Sequence, residues 1–150
     1  MNKELQIFFE VASHIQTAFH TTPILYGSLG LGVALQQRIS INDIDILVPR
    51  DLLEGRWDEL VQVMKNLDFE LKDEKEHAFE REIIISFAKD IILKDVGLAR
   101  KDLQEEGNSL VPTPSQYLKI YKYCLHDGYR QTKHSDYEKI ALIEEYLKKN

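Results

Sequence analysis

Asp43 and Asp45 stand two residues apart in the run Asn42-Asp43-Ile44-Asp45-Ile46-Leu47. On a strand, residues at i and i+2 share one face, which sets these two side chains roughly 6–7 Å apart along the chain. Like charges that close repel, and on a buried face they are costly unless a cation joins them. Carboxylate oxygens suit Mg²⁺ (or Mn²⁺), which takes one or two of them and completes its shell with waters and substrate phosphates. The pair is therefore a candidate metal platform; the plainer reading is a solvated strand face. Upstream, Gly27-Ser28 follows the apolar run Ile24-Leu25-Tyr26. Glycine lets a ligand approach the backbone, a serine hydroxyl can bond a phosphate oxygen, and a helix amino terminus favours anions. One element suits metal and the other phosphate, a combination that points to transfer of a group from a nucleoside triphosphate. The spacing of Gly27, Gly30 and Gly32 is not the dinucleotide fingerprint, and no Gly-Lys-Ser/Thr phosphate loop follows. Gly30 and Gly32 are equally read as allowing a short helix to pack on a sheet.

The string GSLGLGVALQQRISINDIDILVP, Gly27 to Pro49, resembles the signature of the DNA polymerase beta-like nucleotidyltransferase superfamily. That signature is a glycine followed by glycine or serine, a helix, then acid-apolar-acid-apolar on the next strand. In style it is similar to the small bacterial, minimal nucleotidyltransferases, which include antibiotic-modifying and toxin-type proteins. The resemblance implies Gly27 and Ser28 for the triphosphate, Asp43 and Asp45 for divalent metal, and movement of a nucleotidyl group to a hydroxyl. It also implies a third carboxylate on a later strand. The best such strand, Ile83 to Phe87, has no acid inside it. Glu76, His77, Glu80 and Glu82 lie near its hairpin partner or turn, and Asp90 lies just past its end. Among these, Glu80 is the candidate third catalytic acid and His77 a substitute metal ligand; for His77 the alternative is an ordinary surface histidine. The string Lys133 to Lys139, with Asp136 inside it, resembles the basic-then-acidic carboxyl-terminal helix of some toxin-type members.

These side chains need a scaffold, and the hydrophobic periodicity supplies one. Leu5, Phe8, Phe9, Ala12, Ile15 and Phe19 fall at helical spacing, and Thr21-Thr22-Pro23 ends that helix. Ile24-Leu25-Tyr26 reads as a buried strand, Leu31 to Gln37 as a short helix, and Asp43 to Val48 as the acid-bearing strand. Trp57, Leu60, Val61, Met64 and Leu67 form the stripe of a second long helix. After Phe69 to Lys72 and the charged patch Asp73 to Glu76, His77 to Ala88 is too β-branched for a helix and predicts a hairpin turning near Arg81-Glu82. Lys89 to Val96 reads as a short helix closed by Gly97, and the polar stretch Ala99 to Val111 as a loop. Two final helices carry start signals, Thr113 with Gln116 and Ser135 with Glu138, each a capping box, and Gly128 suits the end of the first. The expected fold is α+β, a small mixed sheet flanked by helices, in one domain over residues 1–150. Its α/β core is 1–112, with 113–150 a helical tail packed on it.

Composition narrows the function classes. With 150 residues, 43% hydrophobic and 29% charged, the chain can bury a core without staples, and one cysteine, Cys124, excludes an intrachain disulfide. A net charge of −6 disfavours long nucleic acid, which needs a basic face, though a nucleotide with bound divalent cations remains compatible. No run approaches the roughly 20 apolar residues that span a membrane, and no signal peptide is legible, so the expected location is cytoplasmic. Lys119, Lys122, Arg130 and Lys133 concentrate positive charge late in the chain. They read either as a solvated helical face or as a clamp on the triphosphate or an acidic partner, with Lys119 and Lys122 the candidates for binding the nucleotide. Tyr117, Tyr121 and Tyr137 sit at helical spacing, as core or groove lining. The expected partners are a nucleoside triphosphate and a hydroxyl acceptor, whether small molecule, protein or RNA end. Two rival readings stand beside this one: an inactive nucleotide- or partner-binding module of the same fold, and an interaction protein whose acids serve solubility.

Overall fold

A computed structural model describes residues 2–127 and 134–150; the side chains of 126, 127, 134 and 135 are not described. The first helix, α1 (Lys3–Phe19), starts where the Asn2 side chain accepts a hydrogen bond from the Leu5 amide at 2.7 Å. It ends as His20 turns left-handed (φ 55°) and donates its amide to the Gln16 carbonyl. Thr21-Thr22-Pro23 then leads into β1 (Ile24–Tyr26), and α2 (Gly27–Leu35) follows without an intervening loop. The acid-bearing strand β2 (Asp43–Val48) runs into two helices, α3 (Arg50–Glu54) and α4 (Trp57–Asn66). Next come β3 (Glu70–Asp73), β4 (Ala78–Glu80), β5 (Ile84–Lys89) and α5 (Ile91–Asp95). A 3-10 turn at Arg100–Asp102 precedes β6 (Gln104–Glu106) and β7 (Ser109–Val111), and α6 (Pro114–Asp127) and α7 (His134–Lys149) complete the described chain.

The seven strands form one mixed sheet in the order β3-β4-β5-β2-β1-β7-β6. β2 lies at its centre, antiparallel to β1 and parallel to β5. Alternation along β2 divides the protein into two layers. Ile44, Ile46 and Val48, all fully buried, point into a core shared with α1, α3 and α4. Asp43, Asp45 and Leu47 point the other way, where Leu47 joins Ile24, Leu93 and Ile120 under α5 and α6. A third cluster ties α2, β7, α6 and α7 through Leu31, Leu35, Val111, Tyr117 and Ile143. Each such apolar side chain contributes about 1.5–3 kcal/mol when fully withdrawn from water, so the sheet is held from both faces and its central strand cannot slip register.

Three expectations from sequence are corrected. The helix expected at Leu31 to Gln37 begins four residues earlier, at Gly27 itself, and ends at Leu35. Its early start has no sequence signal, because its cap residue Tyr26 makes no side-chain capping bond. The expected loop Ala99 to Val111 contains strands β6 and β7, and Leu110 pairs in parallel with Ile24. These strands are three residues long, and β6 is largely polar and exposed, so nothing local marks them. The expected helix Lys89 to Val96 is shorter, since Lys89 is the last residue of β5, level with Val48. The hairpin is present, with β4 and β5 flanking Arg81-Glu82. The Thr113 capping box is present as well: the Gln116 amide donates to Thr113 Oγ1 at 3.3 Å and the Thr113 amide to Gln116 Oε1 at 2.9 Å. Gly128 and the Ser135 cap lie outside the described residues and side chains.

Tyr117 on α6 is fully buried beneath α2, its hydroxyl 3.5 Å from the Gly27 carbonyl, to which it donates. Burial above all, with the neighbouring Tyr121, Tyr26 and Asp45, pushes its phenol well above the usual range. A group whose folded pKa is raised stabilises the fold fully below its unfolded value, near 10, and that stability is lost as pH rises beyond it. In urea unfolding at pH 9 to 11, the native chain is expected to lose stability more steeply than Tyr117→Phe. Parallel curves would contradict this placement.

Candidate functional site

The tight β1-to-α2 connection brings the glycine-serine turn against the acid strand. Tyr26, the last residue of β1, is the antiparallel partner of Asp45, so Gly27 emerges directly over the Asp45 side chain. Gly27 is left-handed (φ 62°), and a Cβ there would run into the Asp45 carboxylate. Only glycine meets both conditions without strain. Gly30, one turn on, is equally constrained, since a Cβ would strike the Tyr117 hydroxyl and the Leu25 carbonyl. The glycines of this segment thus press α2 onto β1 and α6, and aim its amino terminus at the acids.

Asp43, Asp45, Gly27 and Ser28 line one cleft of about 480 Å³. Ser40 and Asn42, before β2, and Leu47 with Ala88 contribute to its walls. Its far wall comes from the last two helices: Tyr121 of α6, and Asp136 and Lys139 of α7. Tyr26, Tyr117 and Tyr121 stack in series, with ring centroids 6.0 Å apart at each step and planes 20° apart, and so link β1 to α6 beneath the cleft. The Lys139 ammonium lies 5.9 Å above the Tyr121 ring and makes no ion pair among the described residues. Asp136, in the first turn of α7, is only 3% exposed. A second cavity, about 670 Å³, adjoins the cleft and shares Ser28 and Ser40 with it.

Other residues singled out from sequence lie elsewhere. Glu80 belongs to the same cross-strand row as Asp43, but with Ile84 between them. At two strand spacings their Cα atoms are about 10 Å apart, and Glu80 pairs with Lys72 at 3.6 Å. His77 packs its ring edge-on against Trp57, with centroids 4.9 Å apart. Lys119 lies against Gly97, and Lys122 pairs with Glu144 at 3.7 Å. None of these four lines the cleft. Asp90 pairs with Arg100 at 3.0 Å. The residue facing Asp45 from β5 is Ser86. Arg130 and Lys133 lie outside the described residues. The reading by residue type missed Lys139 and assigned no role to Asp136; the one signal was the string around Asp136, because which face of α7 meets the cleft is decided by tertiary packing.

A hard divalent cation fits this donor set. Asp43 and Asp45 offer only oxygen, on an accessible face, and a cleft with three carboxylates and one ammonium among its described residues would repel a polyphosphate arriving alone. Among the described residues no group of three or more His, Cys, Asp or Glu side chains is close enough to enclose an ion, so such a cation would depend on waters and phosphate oxygens for the remainder of its shell.

No protein-family model matches the chain. It is 34% identical over 149 residues to the uncharacterized protein YnaI of Bacillus subtilis (strain 168), covering 94% of this chain and 96% of that protein. Its fold is similar to the crystal structure of ANT(2'')-Ia in complex with adenylyl-2''-tobramycin, with a TM-score of 0.64 at 11% identity over 97% of this chain and 90% of that one. The solution structure of the antibiotic-resistance factor ANT(2'')-Ia gives a TM-score of 0.61 at 11% identity, covering 95% and 83%. These neighbours are nucleotidyltransferases, and the fold is the nucleotidyltransferase fold.

The Gly27 contact is testable by itself. Gly27→Ala must place a side chain in the left-handed region and displace the Asp45 carboxylate, and is expected to cost at least about 1–2 kcal/mol in chemical unfolding. An unchanged unfolding midpoint would contradict the close approach.

Proposed function

The chain belongs to the family of the uncharacterized protein YnaI of Bacillus subtilis, and we propose that it is a metal-dependent nucleotidyltransferase. It moves a nucleoside monophosphate from a nucleoside triphosphate to a hydroxyl acceptor. The observation that carries this reading is the meeting of Asp43 and Asp45 with Gly27 and Ser28 in one cleft of a nucleotidyltransferase fold. The adenylylated aminoglycoside held by a protein of similar fold supports the class of transfer, an adenylyl group to a hydroxyl. No described helix is long and apolar enough to cross a membrane, and the supply of nucleoside triphosphates assigns the reaction to the cytoplasm.

Asp43 and Asp45 would hold the Mg²⁺ or Mn²⁺. When bound, such a cation withdraws charge from the phosphoryl oxygens and orients the triphosphate. Ser28, in the first turn of α2, donates its hydroxyl to a phosphate oxygen, and the amide groups of that turn add the positive end of the helix dipole. Lys139 replaces Lys119 and Lys122 as the cation for the triphosphate, because it lines the cleft and they do not. Its place above the Tyr121 ring keeps the ammonium oriented without neutralising it. Tyr26 and Tyr121 shield one side of the cleft from water, which strengthens every charge interaction inside it. The rival reading, an inactive nucleotide-binding module, draws on Ser86, which stands beside Asp45 where an acid would serve catalysis.

Calorimetry with Mg-ATP tests the binding half. Asp43→Asn with Asp45→Asn is expected to reduce affinity at least about tenfold and to remove its dependence on Mg²⁺. Lys139→Gln is expected to weaken Mg-ATP about five- to tenfold while leaving adenosine unaffected. Unchanged Mg-ATP affinity in the double variant would overturn the reading. Binding by the native chain without pyrophosphate release across sugars, aminoglycosides, peptides and RNA ends would favour the inactive module.

A further inference from the structure

A hydroxyl that attacks phosphorus must give up its proton, and the sheet offers no obvious group to take it. Ser86 is neutral, Ile84 is apolar, and Glu80 lies one strand further out, paired with Lys72. Within the cleft, serine and tyrosine hydroxyls are weak proton acceptors, and Lys139 is assigned to the triphosphate. Its carboxylates among the described residues are Asp43, Asp45 and Asp136. Asp43 and Asp45 share one strand face and are committed to the cation in the reading above. Asp136 comes from a different element, α7, on the wall across the cleft, and it is almost wholly withdrawn from solvent at 3% exposure. Asp136 stands in the first turn of α7, where the helix dipole favours a carboxylate. That preference is general to helix starts; what is particular to Asp136 is that it lines the same cleft as Asp43 and Asp45.

We propose that Asp136 is the catalytic base of the transfer, an inference that rests on the nucleotidyltransferase reading and deepens it. The Asp136 carboxylate accepts the hydrogen bond of the acceptor hydroxyl and takes its proton. The acceptor oxygen forms a bond to the α-phosphorus. The bond from the α-phosphorus to the oxygen bridging to the β-phosphorus breaks, and its electron pair leaves with pyrophosphate. α7 thus supplies both a base, Asp136, and one turn later a cation for the triphosphate, Lys139, at i and i+3 on one helix face. The third carboxylate is delivered by the carboxyl-terminal helix and not by the strand beside Asp45.

The test measures pyrophosphate release from Mg-ATP by the full chain, with water alone and with the same acceptor panel, beside calorimetric Mg-ATP affinity. Asp136→Asn, nearly isosteric, is expected to lower the rate at least about 100-fold, the scale of general-base catalysis. Its Mg-ATP affinity should remain within about threefold of the native value. Asp136→Ala is expected to be slow and to regain rate when formate is added, because a free carboxylate can occupy the vacated space; Asp43→Ala is not. A merely structural Asp136 would show no formate rescue. Asp136→Asn at the native rate, loss of Mg-ATP binding in that variant, or a slow Asp136→Ala that formate leaves unchanged would each overturn the inference while leaving the transferase reading in place. A native chain that binds no Mg-ATP, or that releases no pyrophosphate in any arm, would overturn the reading itself and the inference with it.

Discussion

The close approach of Gly27 to Asp45 is the contact on which the site depends. It arises from the antiparallel pairing of β1 with β2, which sets Tyr26 level with Asp45 and leaves the next residue no room for a side chain. A left-handed glycine turns the chain there directly into α2. Had a loop intervened, the helix amino terminus and the acids would not face one cleft. The same residue ties the site to the fold beneath it, since the Gly27 carbonyl receives the buried Tyr117 hydroxyl from α6. One turn therefore couples the acid strand, the helix that suits phosphate and the helical carboxyl-terminal part of the chain.

The two faces of β2 explain how the chain tolerates paired carboxylates at the centre of its sheet. Ile44, Ile46 and Val48 anchor the strand in the α1–α4 layer. The opposite face is left incompletely covered, because α6 and α7 close over it only in part and leave the cleft. Strand position is secured by apolar packing on one side, so the other is available for charge. The cost of gathering carboxylates there is real, and it is the physical reason to expect a divalent cation as their partner.

What was legible in the sequence follows a boundary between local and non-local causes. α1, α4, β1, β2, the β4–β5 hairpin and the Thr113 cap all announce themselves through periodicity, β-branching or capping residues within a few positions. The start of α2 does not, because Gly27 and Tyr26 carry no capping side chain. Nor do β6 and β7, whose residues are strands only because Leu110 lies beside Ile24, more than eighty positions away. The site divides in the same way. Gly27, Ser28, Asp43 and Asp45 are close in sequence, and two adjacent strands bring them together. Glu80 and His77 belong to the hairpin region beside the acid strand, yet Ile84 separates Glu80 from Asp43 and Trp57 packs against the His77 ring. Lys119 and Lys122 have the right charge on the wrong helix faces. Asp136 and Lys139 enter the cleft through the packing of α7 against α2 and α6, which local spacing does not encode.

The proposed transfer requires a divalent cation at the β2 acids and the triphosphate at the start of α2. A crystal structure of the chain with Mn²⁺ and a non-hydrolysable ATP analogue tests it most directly, since manganese is identifiable by its anomalous signal. The expected result is an anomalous peak bonded to oxygens of Asp43 and Asp45, with the triphosphate against Gly27 and Ser28. Manganese and nucleotide bound away from β2, with the Asp43 and Asp45 carboxylates facing only solvent, would contradict it.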